Sequence, residues 1–231
     1  MKFVAFSDNH GYLPPMEELP EGDVLLICGD ILPLLVQRDT VASTVWFVTQ
    51  FLPWTQTLSY KYIVFIGGNH DFLLYKLDIS FMDYMDPYHQ YQNVFYLFDN
   101  YVVLDNIKIY GTPYIKDLKN WAFYKNNNEL LKKFKKIPDD TDILLTHMPP
   151  RVNMCGAVLQ SNAFNYLSDF GSEELADVLL TKPNIKYSLF GHVHSGDHNI
   201  TKNANGTCLV NVSIKDEDYK RRYDAFVFEL F

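Results

Sequence analysis

Cysteine is scarce. The 231 residues include three, Cys28, Cys155 and Cys208, far apart and without a C-x-x-C pair. That argues against a disulfide framework and a thiolate zinc knuckle, and reduced thiols suggest a cytoplasmic setting. Long apolar runs are lacking too. None approaches the length of a membrane-spanning helix, and the opening MKFVAFSD reads as a strand running into polar residues rather than a signal peptide. Basic charge is short, with 20 Lys and Arg against 28 Asp and Glu, a net charge of −8. A general nucleic-acid binder needs a cationic surface to displace counterions, so that class is disfavoured. An acidic protein with a locally cationic site remains open, because bound metal ions reverse the local field.

Apolar and aromatic residues are plentiful, at 48% and 16% of the chain, enough for a sizeable core. They fall in short runs: Phe3–Phe6, Val24–Cys28, Tyr62–Ile66, Ile143–Leu145 and Tyr187–Phe190. Each is bounded by Gly, Asp, Asn or His, as strands buried on both faces are. Helical spacing predicts helices over Thr40–Phe51 and Trp121–Phe134, the latter with lysines in its last turn. Gly171–Leu180 opens with SEE, an acidic helix start. Asp105-Asn106 between two alternating runs predicts a hairpin, and TCLVNVS and DAFVFELF predict two further strands. No repeat or linker divides the chain, so residues 1–231 are expected to form a single domain of the α/β class, a layered β core flanked by helices.

The ends of these strands carry the chemistry. The first ends SDNH, with Asp8 and His10; residues i and i+2 of an extended chain share a face, so both can address one ion. The second ends CGD, giving Asp30. The third ends GGNHD, giving Asn69, His70 and Asp71. The Ile143 strand ends THMPP, giving His147, and the Tyr187 strand ends FGHVH, giving His192 and His194. Five of the seven histidines sit at strand ends, leaving His89 and His198 as expected surface residues. Polar residues at the carboxyl ends of strands are where α/β folds place ligands. Nitrogen and oxygen donors without thiolate suit Mn, Fe, Zn or Co rather than a closed structural zinc site. Seven candidates, Asp8, His10, Asp30, Asn69, His147, His192 and His194, exceed the needs of one ion. They suit two ions about 3.5–4 Å apart.

In that order, D-x-H, GD, GNHD, a lone strand-end His and GHxH resemble the calcineurin-like metallophosphoesterases, over a span from Asp8 to His194. LPEGDVLLICGD, IYGTPY, ILLTHMPP and the closing NVS…FVFEL are further similar to the compact metallophosphoesterase-domain-containing phosphodiesterases. The resemblance implies a four-layer αββα sandwich, two mixed β-sheets flanked by helices, with a dinuclear metal site at the strand ends. It implies Asp8, His10, Asp30 and His194 on one of two transition-metal ions (Mn, Fe, Zn, Co or Ni). Asp30, Asn69, His147 and His192 would hold the other, Asp30 bridging. His70 is then a catalytic acid oriented by Asp71. The segment RVNMCGAVLQSNAF departs from the subgroup pattern.

The expected chemistry is metal-assisted hydrolysis of a small phosphoester by a hydroxide held between two cations, with His70 protonating the leaving oxygen. Diesters are expected, cyclic nucleotides among them. The chain has only four arginines, Arg38, Arg151, Arg221 and Arg222, one of them near a ligand motif, whereas a monoester dianion rewards a cluster of cationic donors. Arg151 is either a phosphate clamp or a surface residue. Phe72–Tyr101 is the one stretch long enough to cover the site, and little material follows His194. A monoesterase or nuclease on the same scaffold and a binding module that has lost catalysis are the alternatives; the complete donor set speaks against the last. Lys132, Lys133, Lys135 and Lys136 read as a solvated helix face.

Overall fold

The hydrophobic runs assemble into two stacked sheets. The structure, a computed structural model, describes residues 1–77, 80–86, 90–151, 170–194 and 198–231. Cys155, His89 and all of the divergent segment after Arg151 lie outside them. The first sheet holds β1 (Lys2–Phe6), β2 (Val24–Cys28), β3 (Tyr62–Ile66), β4 (Val94–Tyr96) and, at the end of the chain, β11 (Phe226–Glu229). Its order is β11-β1-β2-β3-β4, parallel except for β11. The second holds β5 (Asn100–Leu104), β6 (Ile107–Thr112), β7 (Ile143–Thr146), β8 (Tyr187–Phe190), β9 (Thr201–Lys202) and β10 (Cys208–Asn211). Its order is β5-β6-β7-β8-β10-β9, with parallel pairing from β6 to β10 and antiparallel edges.

Period-two alternation explains why the strands are apolar throughout. One face of the first sheet (Phe3, Ala5, Leu26, Val64 and Ile66) packs on Ile109, Ile143, Leu145, Leu189 and Val210 of the second. The other face (Val4, Phe6, Leu25, Ile63 and Phe65) receives Phe47, Phe51, Leu73 and Phe81 from helices. Beyond the second sheet, Leu130, Phe134, Leu175 and Leu179 cover Leu144 and Leu209. Helix, sheet, sheet and helix make the four layers expected. Among the described residues no helix is long and apolar enough to cross a membrane.

The helices depart from the sequence reading in instructive ways. The first runs past Phe51, as α1 (Thr40–Trp46), a π-helical stretch (Phe47–Phe51) and α2 (Leu52–Thr55), with Asp39 capping its start. The wide turn comes just ahead of Pro53, which has no N–H for a regular helical bond. The helix expected from Trp121 starts later: α5 is Asn127–Phe134, because Asn126 and Glu129 close a capping box. Trp121 is thereby left in a loop. Two short helices, α3 (Phe72–Leu77) and α4 (Phe81–Met85), follow β3, and Leu73, Leu74, Phe81 and Met85 bury themselves in the core. The described part of Phe72–Tyr101 is therefore packing material for the sheet. The last helix, α6 (Glu173–Leu180), is capped by Ser172. Asp105 and Asn106, at φ 46° and 68°, make the two-residue turn of the β5–β6 hairpin.

The loops after β2 and β3 are clipped together by Asp71. Its fully buried carboxylate accepts from the amides of Ile31 at 3.0 Å, Leu32 at 2.9 Å and Gly68 at 2.8 Å. Burial and the neighbouring Asp30 push this carboxyl up to about 7, against those three donors. Removing the acceptor strands three buried N–H groups, each costing about 1–3 kcal/mol. Asp71→Ala is therefore expected to lower unfolding free energy by at least about 3 kcal/mol in urea titration; a loss below about 1 kcal/mol would remove the clip from this account.

Candidate metal centre

Every strand-end donor picked out in the sequence arrives at one place, the carboxyl end of the parallel strands of both sheets. Asp8 and His10 follow β1, Asp30 follows β2, Asn69 and His70 follow β3, His147 follows β7, and His192 and His194 follow β8. Two glycines let the two sheets close on each other. A Cβ on Gly191 would stand 2.1 Å from Ser7 Oγ and 2.2 Å from Asp8 Oδ2; one on Gly68 would stand 2.7 Å from His147 Cε1. Four of the donors, Asp8, His10, Asp30 and His192, have φ between 43° and 69°. Aspartate visits this left-handed region readily and histidine less so.

The geometry calls for cations. His147 Nδ1 donates to the Cys28 carbonyl at 2.8 Å, so its Nε2 presents a lone pair in the neutral ring. That nitrogen faces Asn69 Oδ1 at 2.9 Å and Asp30 Oδ1 at 3.4 Å, both acceptors. His192 Nδ1 approaches the same Asn69 oxygen at 2.7 Å. On the other side, His194 Nδ1 donates to the Asp216 carbonyl at 2.9 Å. Its Nε2 faces His10 Nε2 at 3.3 Å and Asp8 Oδ1 at 3.5 Å. Acceptors meeting acceptors need a positive charge between them, either a proton or a metal ion. Among the described residues three groups have ligand atoms close enough to share an ion: Asp8, His10 and His194; His10, Asp30 and His70; Asp8, Asp30 and His147. The donor set thus fits metal ions, with Asp30 common to two of the groups.

Protonation follows the same logic. Burial alone would raise the Asp8 carboxyl, yet the His194 hydrogen bond and His147 bring it to about 2. Asp30, also buried, is held well below the carboxylate range by His147, His70 and His10. Burial opposes charge on His147 and His194, but Asp30 and Asp8 respectively lift them to about 9. His10 and His192 are held at about 4, chiefly by burial.

Residues 1–196 match the calcineurin-like phosphoesterase family. The chain belongs to that family. It is 27% identical over 247 residues to metallophosphoesterase domain-containing protein 1 of Homo sapiens, covering 99% of this chain and 71% of that protein. UPF0046 protein K07C11.7 of Caenorhabditis elegans is 30% identical over 223 residues, covering 90% of this chain and 68% of its own length. UPF0046 protein T07D4.2 of the same organism is 27% identical over 254 residues and longer, this chain spanning 60% of it. Among solved structures, a dimetal phosphatase from Danio rerio superposes with a TM-score of 0.52 at 10% identity, over 94% of this chain and 87% of that one. The likeness is one of fold. Calcineurin-like phosphoesterases use a dinuclear transition-metal centre, and this one has side-chain clusters able to hold metals.

Two expected partners differ. The His70 ring is held by Gln37 Oε1, which accepts from its Nδ1 at 2.5 Å, rather than by Asp71, whose oxygens take the backbone amides of the clip. Arg151 pairs with Glu173 at the start of α6, 2.5 Å away, and does not line the opening over the metal-ligating cluster. That opening, a cavity of about 220 Å³, is rimmed by Leu118, Trp121, Glu217 and Tyr219. Nothing in the sequence marks these or Gln37, which lie in loops without periodicity; Tyr219 comes from the segment after His194, which was expected to leave little material for a lid. His198 stacks on Tyr223 at 3.6 Å.

Metal loading of the stripped phosphoesterase should release protons. His147 and His194, at about 9, are protonated at neutral pH; His10 and His192, at about 4, are not. Raised values mean that protons compete below about 9, so apparent affinity for Mn²⁺ is expected to rise with pH between 6 and 8. Calorimetry in buffers of different ionisation enthalpy should count about two protons released at pH 7.5. A count of zero would contradict the assignment of charge in the free centre.

Proposed function

We propose that the protein is a metal-dependent phosphodiesterase acting on small diesters, cyclic nucleotides among them. One observation carries the reading: imidazole and carboxylate lone pairs from five strand ends of two sheets converge in one buried cluster. In this assignment Asp8, His10, Asp30 and His194 hold one ion and Asp30, Asn69, His147 and His192 the other. When bound, such a pair of ions supplies a nucleophile from water at neutral pH and offsets charge on the phosphoryl oxygens.

The chain's own residues do the rest. Cys28 and Asp216 carbonyls fix the tautomers of His147 and His194, keeping Nε2 aimed inward. His70 is the proton donor to the departing oxygen. Its Nε2 lies 3.7 Å from Asp30 Oδ2, at the cluster's edge, while Gln37 takes the Nδ1 proton. Burial holds the His70 ring below the ordinary imidazole value, with Asp30 opposing; in its imidazolium form it would keep one proton for the enzyme's frame and offer the other to substrate. Asp71 serves by holding the turn that carries His70. The diester preference is supported by the rim. The described lining has no Lys or Arg to meet a second negative charge.

Two measurements test this. His70→Ala is expected to retain its metal by elemental analysis while losing turnover by about 10²–10⁴-fold, most for poor leaving groups. Loss of metal would make His70 a ligand; equal losses for good and poor leaving groups would remove it as the acid. Separately, bis(p-nitrophenyl) phosphate should be a better substrate than p-nitrophenyl phosphate, and cyclic nucleotides better than nucleoside monophosphates, at matched metal and pH. Higher kcat/KM on the monoesters in both comparisons would overturn the diester preference and leave the metal centre standing.

A further inference from the structure

The way into the centre passes between two aromatic side chains brought from unrelated segments. Trp121, left in a loop by the late start of α5, packs on the His70 ring with centroids 4.5 Å apart. Tyr219, from the turn between β10 and β11, stands edge-on to His10 at 4.9 Å and His194 at 5.2 Å, and 6.5 Å from His70. Both line the opening. Trp121 is fixed in place. Its amide donates to the Leu118 carbonyl at 3.0 Å, and the next amide, of Ala122, donates to the carbonyl of Asn69 at 3.2 Å. The guanidinium of Arg38 lies across Phe72 and Trp121, 4.2 and 4.9 Å from their centroids. A rigid aromatic surface costs little entropy to bind against. Arg38 is engaged with those two rings, and the described lining of the cavity itself holds no Lys or Arg, so aromatic surface is a main source of attraction there beyond the centre itself.

The geometry points to Trp121 and Tyr219 as an aromatic subsite that takes a flat ring carried by a group esterified to phosphorus, so that the protein selects aryl or nucleobase-bearing phosphoesters over saturated ones of equal size. This rests on the phosphoesterase reading and gives its substrate a shape. An oxygen close enough to His70 to receive its proton lies beside the indole, so a planar group near that oxygen falls within reach of the part of Trp121 that lines the cavity. Stacking of a base or aryl ring on such a side chain changes affinity by about 10- to 100-fold. A saturated ring of the same size gains contact area without the favourable quadrupole alignment.

The test uses two non-hydrolysable anions on the metal-loaded protein, diphenylphosphinate and dicyclohexylphosphinate, with binding measured by calorimetry. Wild type is expected to prefer the diphenyl compound by about 10-fold or more. Trp121→Leu should abolish most of that preference with metal content unchanged, Trp121→Phe should keep most of it, and Tyr219→Leu should weaken it. Equal affinities of wild type for the two anions would overturn the subsite. So would Trp121→Leu losing both anions alike, or losing neither. Because neither anion is hydrolysed, these outcomes are independent of whether diesters or monoesters are the better substrates.

Discussion

Everything at the functional end of this molecule is arranged around one buried carboxylate. Asp30 is almost wholly withdrawn from water, and an isolated charge there would cost several kcal/mol. It is offset by the His70 amide at 2.8 Å and by the Nε2 atoms of His147, His70 and His10 at 3.4, 3.7 and 3.8 Å. Those partners come from three other strand ends, in both sheets. Sheet register, the close approach at Gly68 and Gly191, and the Asp71 clip all have the effect of bringing them within reach.

Much of this was legible in the sequence because polar residues that end fully apolar runs have few structural uses. Asp8, Asp30, Asn69, His147 and His192 each end such a run, and the strand pattern alone places them at one edge. A layered β core followed from runs apolar on both faces, and the four layers and two sheets from the family resemblance. What the sequence did not disclose lies where neither period two nor period 3.6 operates. Gln37 sits in the irregular stretch after β2, and only the fold brings it to His70. Trp121 read as the first turn of a helix until the Asn126 cap displaced that start. Tyr219 falls between the two last strand runs, in a turn, and a turn's destination is a tertiary fact. Asp71 looked like the partner of the adjacent His70, but neighbours in a tight turn diverge, and its carboxylate faces the backbone of another loop.

The site divides its labour by depth. At the bottom, carboxylates and imidazoles set protonation states through charge and burial, and their partners are backbone carbonyls that cannot wander. At the mouth the described rim residues are Leu118, Trp121, Glu217 and Tyr219, so the proposed recognition there draws on shape and ring contact. Charge handling and substrate selection therefore rest on different side chains, and either can change while the other persists.

The left-handed backbone at Asp8, His10, Asp30 and His192 has one more consequence. Left to themselves, these four residues would relax into extended or right-handed conformations and swing their side chains elsewhere. The loops hold one another: the amides of Asp8 and His10 donate to the carbonyls of Gly29 and Asp30, and the His192 amide donates to the Asp8 carboxylate across the gap between the sheets. The tip is built like an arch, whose stones stay up only together, so a disturbance at one strand end is felt at the rest.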